Sequence, residues 1–225
     1  MLCELKSLLD TPLQATDGLI GTVKDLYFDD RAWVIRWFVV ETGSWLSARR
    51  VLIAPVSVDA GTGIRVTLSA ALSKAQVRDR PDTDTDSAHG PLGGQHLRSC
   101  NAVIGYHVEA TDGDIGHVHG CLLEPSTWAI RYLVANTGHW WRGHEVLLAP
   151  RWIEAARWED DTLNVQLNRA MVRAAPAYST MRPLRRDHEI DLHRHYARNG
   201  YWAAEVALEN PEFQRLPAAD HPLFR

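Results

Sequence analysis

"VVETGSWLSARRVLIAP" (Val39–Pro55) returns ninety-five positions later as "VANTGHWWRGHEVLLAP" (Val134–Pro150). A passage this idiosyncratic, with Thr-Gly-x-Trp at its centre, recurs only when a folding unit has been duplicated. Working outward, Ala15–Pro55 aligns with Ala110–Pro150 without a gap, giving 18 identities in 41 positions. "ATDGLIGTV" matches "ATDGDIGHV" and "WVIR" matches "WAIR"; beyond the core passage, "LSKAQVRDRP" (Leu72–Pro81) matches "LNRAMVRAAP" (Leu167–Pro176). Each copy therefore spans about eighty residues.

Each copy reads as β structure. Asp17-Gly18 and Asp112-Gly113 are Asp-Gly pairs suited to a tight hairpin turn. Trp33, Ile35, Trp37 and Val39 alternate with Val34, Arg36, Phe38 and Val40, a period of two rich in aromatic and β-branched residues. Both sets are largely apolar, so a cover on the outer side is expected, from the other copy, the tail or a partner. Gly43 and Gly138 are expected to take the left-handed conformation that the reversal needs. "VLIAP" and "VLLAP" follow as strands halted by Pro55 and Pro150, and "IRVTL" and "LNVQL" close each copy. Ser73 and Asn168 stand at equivalent places as N-caps of a short helix. Short strands with one brief helix per unit predict a small barrel whose interior its own side chains fill.

Between the copies, "DRPDTDTDSAHGPLGGQH" (Asp79–His96) reads as a linker. After the second copy, "RRDHEIDLHRHYARNGYW" (Arg185–Trp202) reads as a short helix with a modest apolar stripe at His188, Leu192 and Tyr196 that could dock on a barrel. The remainder reads as a loose tail.

Composition narrows the function classes. The 24 Lys+Arg against 28 Asp+Glu give a net charge of −4, with no strongly basic segment, so nucleic acid is not the expected partner. Cys3, Cys100 and Cys121 are odd in number and lack C-x-x-C spacing, which points to a reducing cytoplasm. "WVIRWFVV" is too short, and interrupted by Arg36, for a transmembrane span of about 20 apolar residues. The N-terminus has no secretory pattern.

At "DGxIGxV…WxIR…TGxW…VLxAP", carried by residues 17–55 and again by residues 112–150, the chain resembles the PRC-barrel family. That family is named after the cytoplasmic barrel of the photosynthetic reaction centre H subunit. The tail "DLHRHYARNGYW" resembles the ending of tandem bacterial members. The resemblance implies a six-stranded barrel used as a binding module: in the H subunit it caps a membrane photocomplex, and in a ribosome-maturation factor a related barrel grips a small-subunit ribosomal protein. This chain shows no counterpart of the H subunit's transmembrane helix or the maturation factor's extra N-terminal domain, so neither job carries over.

His117 and His119, like His193 and His195, are spaced by two, but zinc needs three or four ligands. The first-copy counterparts of the former pair are Thr22 and Lys24, so no metal is expected. Asp17 and Asp112 are assigned to turns. Trp33 and Trp128 are assigned to the inward face. Arg36 and Arg131 recur mid-strand; a partner contact is one reading, and an apolar stem with its head paired to Asp29 or Glu124 is the favoured one. Trp45, Trp140 and Trp141 lie where a loop meets the rim, and with Arg36 and Arg131 they are the protein-interaction candidates.

The expectation is a mainly β protein: two six-stranded PRC-type barrels in tandem, each with a short helix, plus a partly helical C-terminal tail. The limits are 1–81 for the first barrel, 82–96 for the linker, 97–181 for the second barrel and 182–225 for the tail. The expected function is a non-enzymatic, cytoplasmic adaptor without cofactors that binds a protein partner and forms a homodimer through its outer strand faces. The alternatives are a peripheral component of a membrane photosynthetic or electron-transfer complex, and a small metal-dependent enzyme using surface histidines.

Overall fold

The computed structural model describes residues 2–61, 67–80, 96–138, 144–179 and 183–203. The first repeat runs β1 (Cys3–Glu4), α1 (Leu5–Leu8), β2 (Pro12–Ala15), β3 (Gly18–Asp29), β4 (Val34–Thr42), β5 (Arg50–Ile53), β6 (Val58–Ala60), β7 (Leu68–Ala70) and α2 (Lys74–Arg78). The second runs β8 (Leu97–Ser99), α3 (Cys100–Val103), β9 (His107–Ala110), β10 (Gly113–Glu124), β11 (Ala129–Asn136), β12 (Glu145–Leu148), β13 (Ile153–Arg157), β14 (Thr162–Val165) and α4 (Arg169–Arg173). Helix α5 (Arg186–His195) follows. The linker, most of "IRVTL" and the tail beyond residue 203 lie outside the described residues.

The protein is mainly β, and its strands form one mixed 14-stranded sheet. Within it the two sets of six strands are recognisable, ordered β5-β4-β3-β2-β7-β6 and β12-β11-β10-β9-β14-β13. In each set one pairing is parallel, β2 with β7 and β9 with β14. The ends of each set are consecutive in the chain, joined through a single helical turn begun by Pro55 or Pro150.

The repeats are joined by more than the linker. Cys3 pairs with Leu123 and Glu4 with Leu122, so β1 belongs to the second repeat's sheet. Reciprocally, Arg98 pairs with Phe28 and Ser99 with Tyr27, placing β8 on the first repeat. Val34 and Ala129, equivalent residues ninety-five positions apart, pair with each other. Across that bridge Ile35 N–H donates to the Trp128 carbonyl (2.9 Å), and Ile130 N–H donates to the Trp33 carbonyl (2.8 Å). Every one of these contacts maps onto its partner under the repeat offset, so a pseudo-two-fold axis runs through the Val34–Ala129 bridge, as in an isologous dimer. A single hydrophobic core spans both repeats, and Tyr27, Val39 and Leu52 form a small second cluster with Trp37.

The strict alternation expected for β4 is broken, and the break has a cause. Tyr27 faces Trp37 while Phe28 faces Ile35, leaving Arg36 unpaired as a β-bulge; Leu122–Tyr132 and Leu123–Ile130 isolate Arg131 in the same way. One extra residue turns the following side chains to the other face. Ile35, Phe38 and Val40 therefore enter the main core, whereas Trp37 and Val39 join the second cluster.

Trp33 and Trp128 are not strand residues. Both are left-handed, at φ 53° and 55°, and end the turn before their strand. Trp33 N–H bonds the Asp29 carbonyl (2.7 Å), and the Asp29 carboxylate accepts from the amides of Arg31 (3.0 Å) and Ala32 (2.9 Å). Trp128 is buried edge-on against Phe38 at 4.7 Å, while Trp33 is half-buried, stacked on Phe28 at 5.0 Å. The left-handed residues of the first Thr-Gly loop are Ser47 and Ala48, with Gly43 extended at φ −73°, whereas Gly138 is left-handed at φ 58°. The first loop reverses later because a short 3-10 turn, Ser44–Leu46, follows Gly43. The threonine is the fixed part: Thr42 Oγ1 donates to the Arg49 carbonyl and Thr137 Oγ1 to the His144 carbonyl, each at 2.9 Å.

Candidate interaction surfaces and a cleft between the repeats

Trp45 folds back over the first repeat. Its Nε1 donates to the Ile20 carbonyl at 2.7 Å, and the Lys74 ammonium sits 5.3 Å from the ring centre. Half-buried against the core, the ring seals one end of the sheet. Trp140 and Trp141 lie outside the described residues. The Asp-Gly pairs do more than turn: Asp17 Oδ1 accepts the first amide of α2, from Lys74, at 2.9 Å, and Asp112 Oδ1 accepts that of α4, from Arg169, at 2.7 Å. The expected caps are present, with Ser73 in a reciprocal capping box with Gln76 and Asn168 accepting from Met171 N–H.

Arg36 and Arg131 are the two bulge residues, and each returns to the acidic residue that begins its turn. Arg36 lies 3.4 Å from Asp29 and is exposed. Arg131 bonds Glu124 through Nε (3.0 Å) and Nη2, and its guanidinium stacks 4.0 Å from the Tyr201 ring centre. The bulge at His119 separates it from His117: both are exposed, and His119 lies 3.5 Å from Glu145. His193 and His195 point apart on α5. His195 Nε2 lies 2.8 Å from the Met171 carbonyl, whereas His193 is buried.

The C-terminal segment breaks the symmetry. Helix α5 covers the outer face of the second repeat with Leu192, Tyr196 and His193, all buried. Trp152 is buried against His193 (5.2 Å) and Tyr196 (4.8 Å). Beneath lies a polar network: the Tyr132 hydroxyl donates to Glu189 Oε1 (3.0 Å) and contacts His193 Nε2 (3.0 Å), while Arg186 lies 3.0 Å from Glu189 Oε2. Burial, then the charges of Arg151 and Arg186, push the His193 imidazole down to about 4. Burial pushes the Tyr201 hydroxyl up to about 12. On the first repeat, Ser57 stands where the second has Trp152, and Val56, in the place of Arg151, is 93% exposed.

A cleft of about 490 Å³ opens beside the pseudo-axis and is walled by both repeats and the C-terminal segment. Arg31 and Trp33 come from the first repeat, Arg131, Arg151 and Glu154 from the second, and His193 and Tyr201 from the tail. Of the docking stripe expected at His188, Leu192 and Tyr196, the last two are buried and His188 is exposed. The partners Tyr132, Glu189, Arg151 and Tyr201 were not legible in sequence, because only tertiary packing brings residues so distant in the chain together.

Comparison with known families matches part of the chain. The model of the PRC-barrel domain matches residues 4–69, which cover the first repeat from β1 into β7. No curated protein matches the chain.

Proposed function

Because this chain contains a PRC-barrel domain, a general kind of protein-interaction module, we propose that it is a non-enzymatic adaptor docking protein partners on the outer face of its first repeat. The asymmetry between the repeats supports this. The second repeat's outer face is covered by its own α5, whereas on the first repeat Val56, in the turn after β5, projects almost fully into solvent, and on β4, the strand paired with β5, Arg36 is exposed and Trp37 half-buried. Tryptophan and arginine are the residue types enriched at interface centres. Among the described residues the main core is filled by the chain's own apolar side chains, which favours the outer surface as the working part. Free thiols at Cys3, Cys100 and Cys121 support a reducing compartment, with burial pushing Cys121 up to about 12 and Cys100 well above its usual value. No helix among the described residues is long and apolar enough to cross a membrane.

The docked partner is either a different protein or a second copy. Light scattering over a concentration series reads the second, and capture from the native cell reads the first. In both, Val56→Glu should abolish association while leaving the melting temperature unchanged. Association that survives Val56→Glu would move the interface elsewhere.

A further inference from the structure

The strand register of the second repeat joins two histidines that stand apart in the chain. His107 on β9 lies directly opposite His117 on β10. The His107 amide is turned the other way, donating at 2.8 Å to the carbonyl of Asp161, just before β14. The two residues therefore face each other without exchanging backbone hydrogen bonds. In an antiparallel ladder that arrangement is the closer of the two, with Cα atoms about 4.5 Å apart and side chains adjacent on one face. Both imidazoles are exposed. His119, which spacing in the sequence pairs with His117, is instead displaced by the bulge and lies 3.5 Å from Glu145.

The second observation is the carboxylate beside them. Asp114, on the same strand as His117, places Oδ1 4.0 Å from His107 Nδ1. The other acid of this face, Glu109, accepts from Arg157 (3.1 Å) and Asn164 (2.9 Å), so Asp114 is the acid left for the histidines. A carboxylate facing Nδ1 keeps the ring proton on that side and leaves Nε2 as the lone-pair nitrogen, which is how metal-bound histidines are commonly supported. The unit folds without this set. In the first repeat the corresponding residues are Pro12, Thr22 and Leu19, with Pro12 opposite Thr22.

We propose that His107 and His117 bind one divalent ion of the nickel and copper class, His107 through Nε2 with Asp114 behind it, and water completing the coordination. Two imidazoles with water oxygens suit the tetragonal N,O coordination of these ions, whereas magnesium and calcium take oxygen ligands. Among the described residues no three His, Cys, Asp or Glu side chains stand ready-made around an ion, so the two exposed imidazoles close on it as it binds. The site belongs to the second repeat and the docking face around Val56 to the first, so each stands or fails by its own test.

Calorimetric titration of the full chain, carrying no histidine tag and in a non-coordinating buffer at pH 7.5, tests this with nickel chloride against magnesium chloride. Nickel should bind saturably and magnesium should not. His107→Gln and His117→Thr, the latter installing the first repeat's residue, should each weaken the tightest nickel site about tenfold or more. Asp114→Asn should weaken it about tenfold, and His119→Gln should leave it unchanged. Unchanged melting of each metal-free variant separates lost ligation from lost folding. A loss in His119→Gln as large as in His117→Thr would put the ion on the two histidines of one strand and overturn the cross-strand pair. Nickel binding indifferent to His107→Gln or to Asp114→Asn, equal binding of magnesium, or no saturable nickel binding would overturn it too.

Discussion

Gly116 shows what a single residue decides. It sits at φ 130°, and a Cβ there would lie 2.0 Å from the Asn136 carbonyl oxygen; at Gly21 the same distance from the Glu41 oxygen recurs. The second glycine of "DGxIG" is thus required by the crossing of β10 over β11 and of β3 over β4. Gly116→Ala should lower stability by about 2–3 kcal/mol, read as a drop in the urea midpoint at constant slope. His193 makes the complementary prediction in pH. Its folded value, about 4, lies below the ordinary 6.5, so the unfolded chain takes up the proton first and folding loses free energy as pH falls from 6.5 towards 4. The shift corresponds to about 3 kcal/mol, fully present above pH 6.5. Acid titration followed by tryptophan fluorescence should show that loss. His193→Gln should flatten the part of the profile between those limits, and an unchanged slope would place the titration elsewhere.

At the scale of elements, the C-terminal helix is held by apolar contact as much as by its polar network. Leu192 is 2% exposed, and Trp152 beneath the helix is 1% exposed. Leu192→Ala should cost about 2–4 kcal/mol, and Leu192→Asp should undock α5 outright. The undocked state should be seen as a red shift of tryptophan emission and faster amide exchange in residues 186–195, with the first repeat unaffected. The stripe of Leu192 and Tyr196 made docking readable from spacing alone. The β4 bulge was not readable: "WVIRWFVV" scans as an unbroken alternation, and only the ladder to β3 reveals that Arg36 has no partner. The recurrence of Arg at positions 36 and 131 was the available signal, since a charged residue in an apolar strand fits where a bulge turns it to solvent.

At the scale of the molecule, the repeats exchange their first strands and meet on a pseudo-axis, so neither half carries its whole sheet. Tyr27, Phe28 and Asp29 pair with residues 97–99, and Leu122 and Leu123 with residues 3–4. Half-buried Asp25 ties the exchange further, accepting from Ser99 Oγ at 2.5 Å and Asn101 N–H at 3.1 Å; desolvation raises its carboxyl despite these bonds. Residues 1–81 expressed alone should therefore associate into dimers that reuse the Val34 bridge, or aggregate, in light scattering. A stable native-like monomer of that fragment would refute the shared sheet.

The duplicated unit, its mainly β character, its turns and caps, and the PRC-barrel resemblance were all determined by local sequence. Glycine, Asp-Gly and capping chemistry act within a few residues, and a repeat declares itself by identity. The bulged register, the exchange of β1 and β8, the pairing of Val34 with Ala129, and the cleft that gathers Arg31, Arg151 and His193 were decided by tertiary structure alone. Their energies arise between residues tens to more than a hundred positions apart, where hydrogen-bond ladders and buried apolar contacts select one packing among several that the same local patterns would allow.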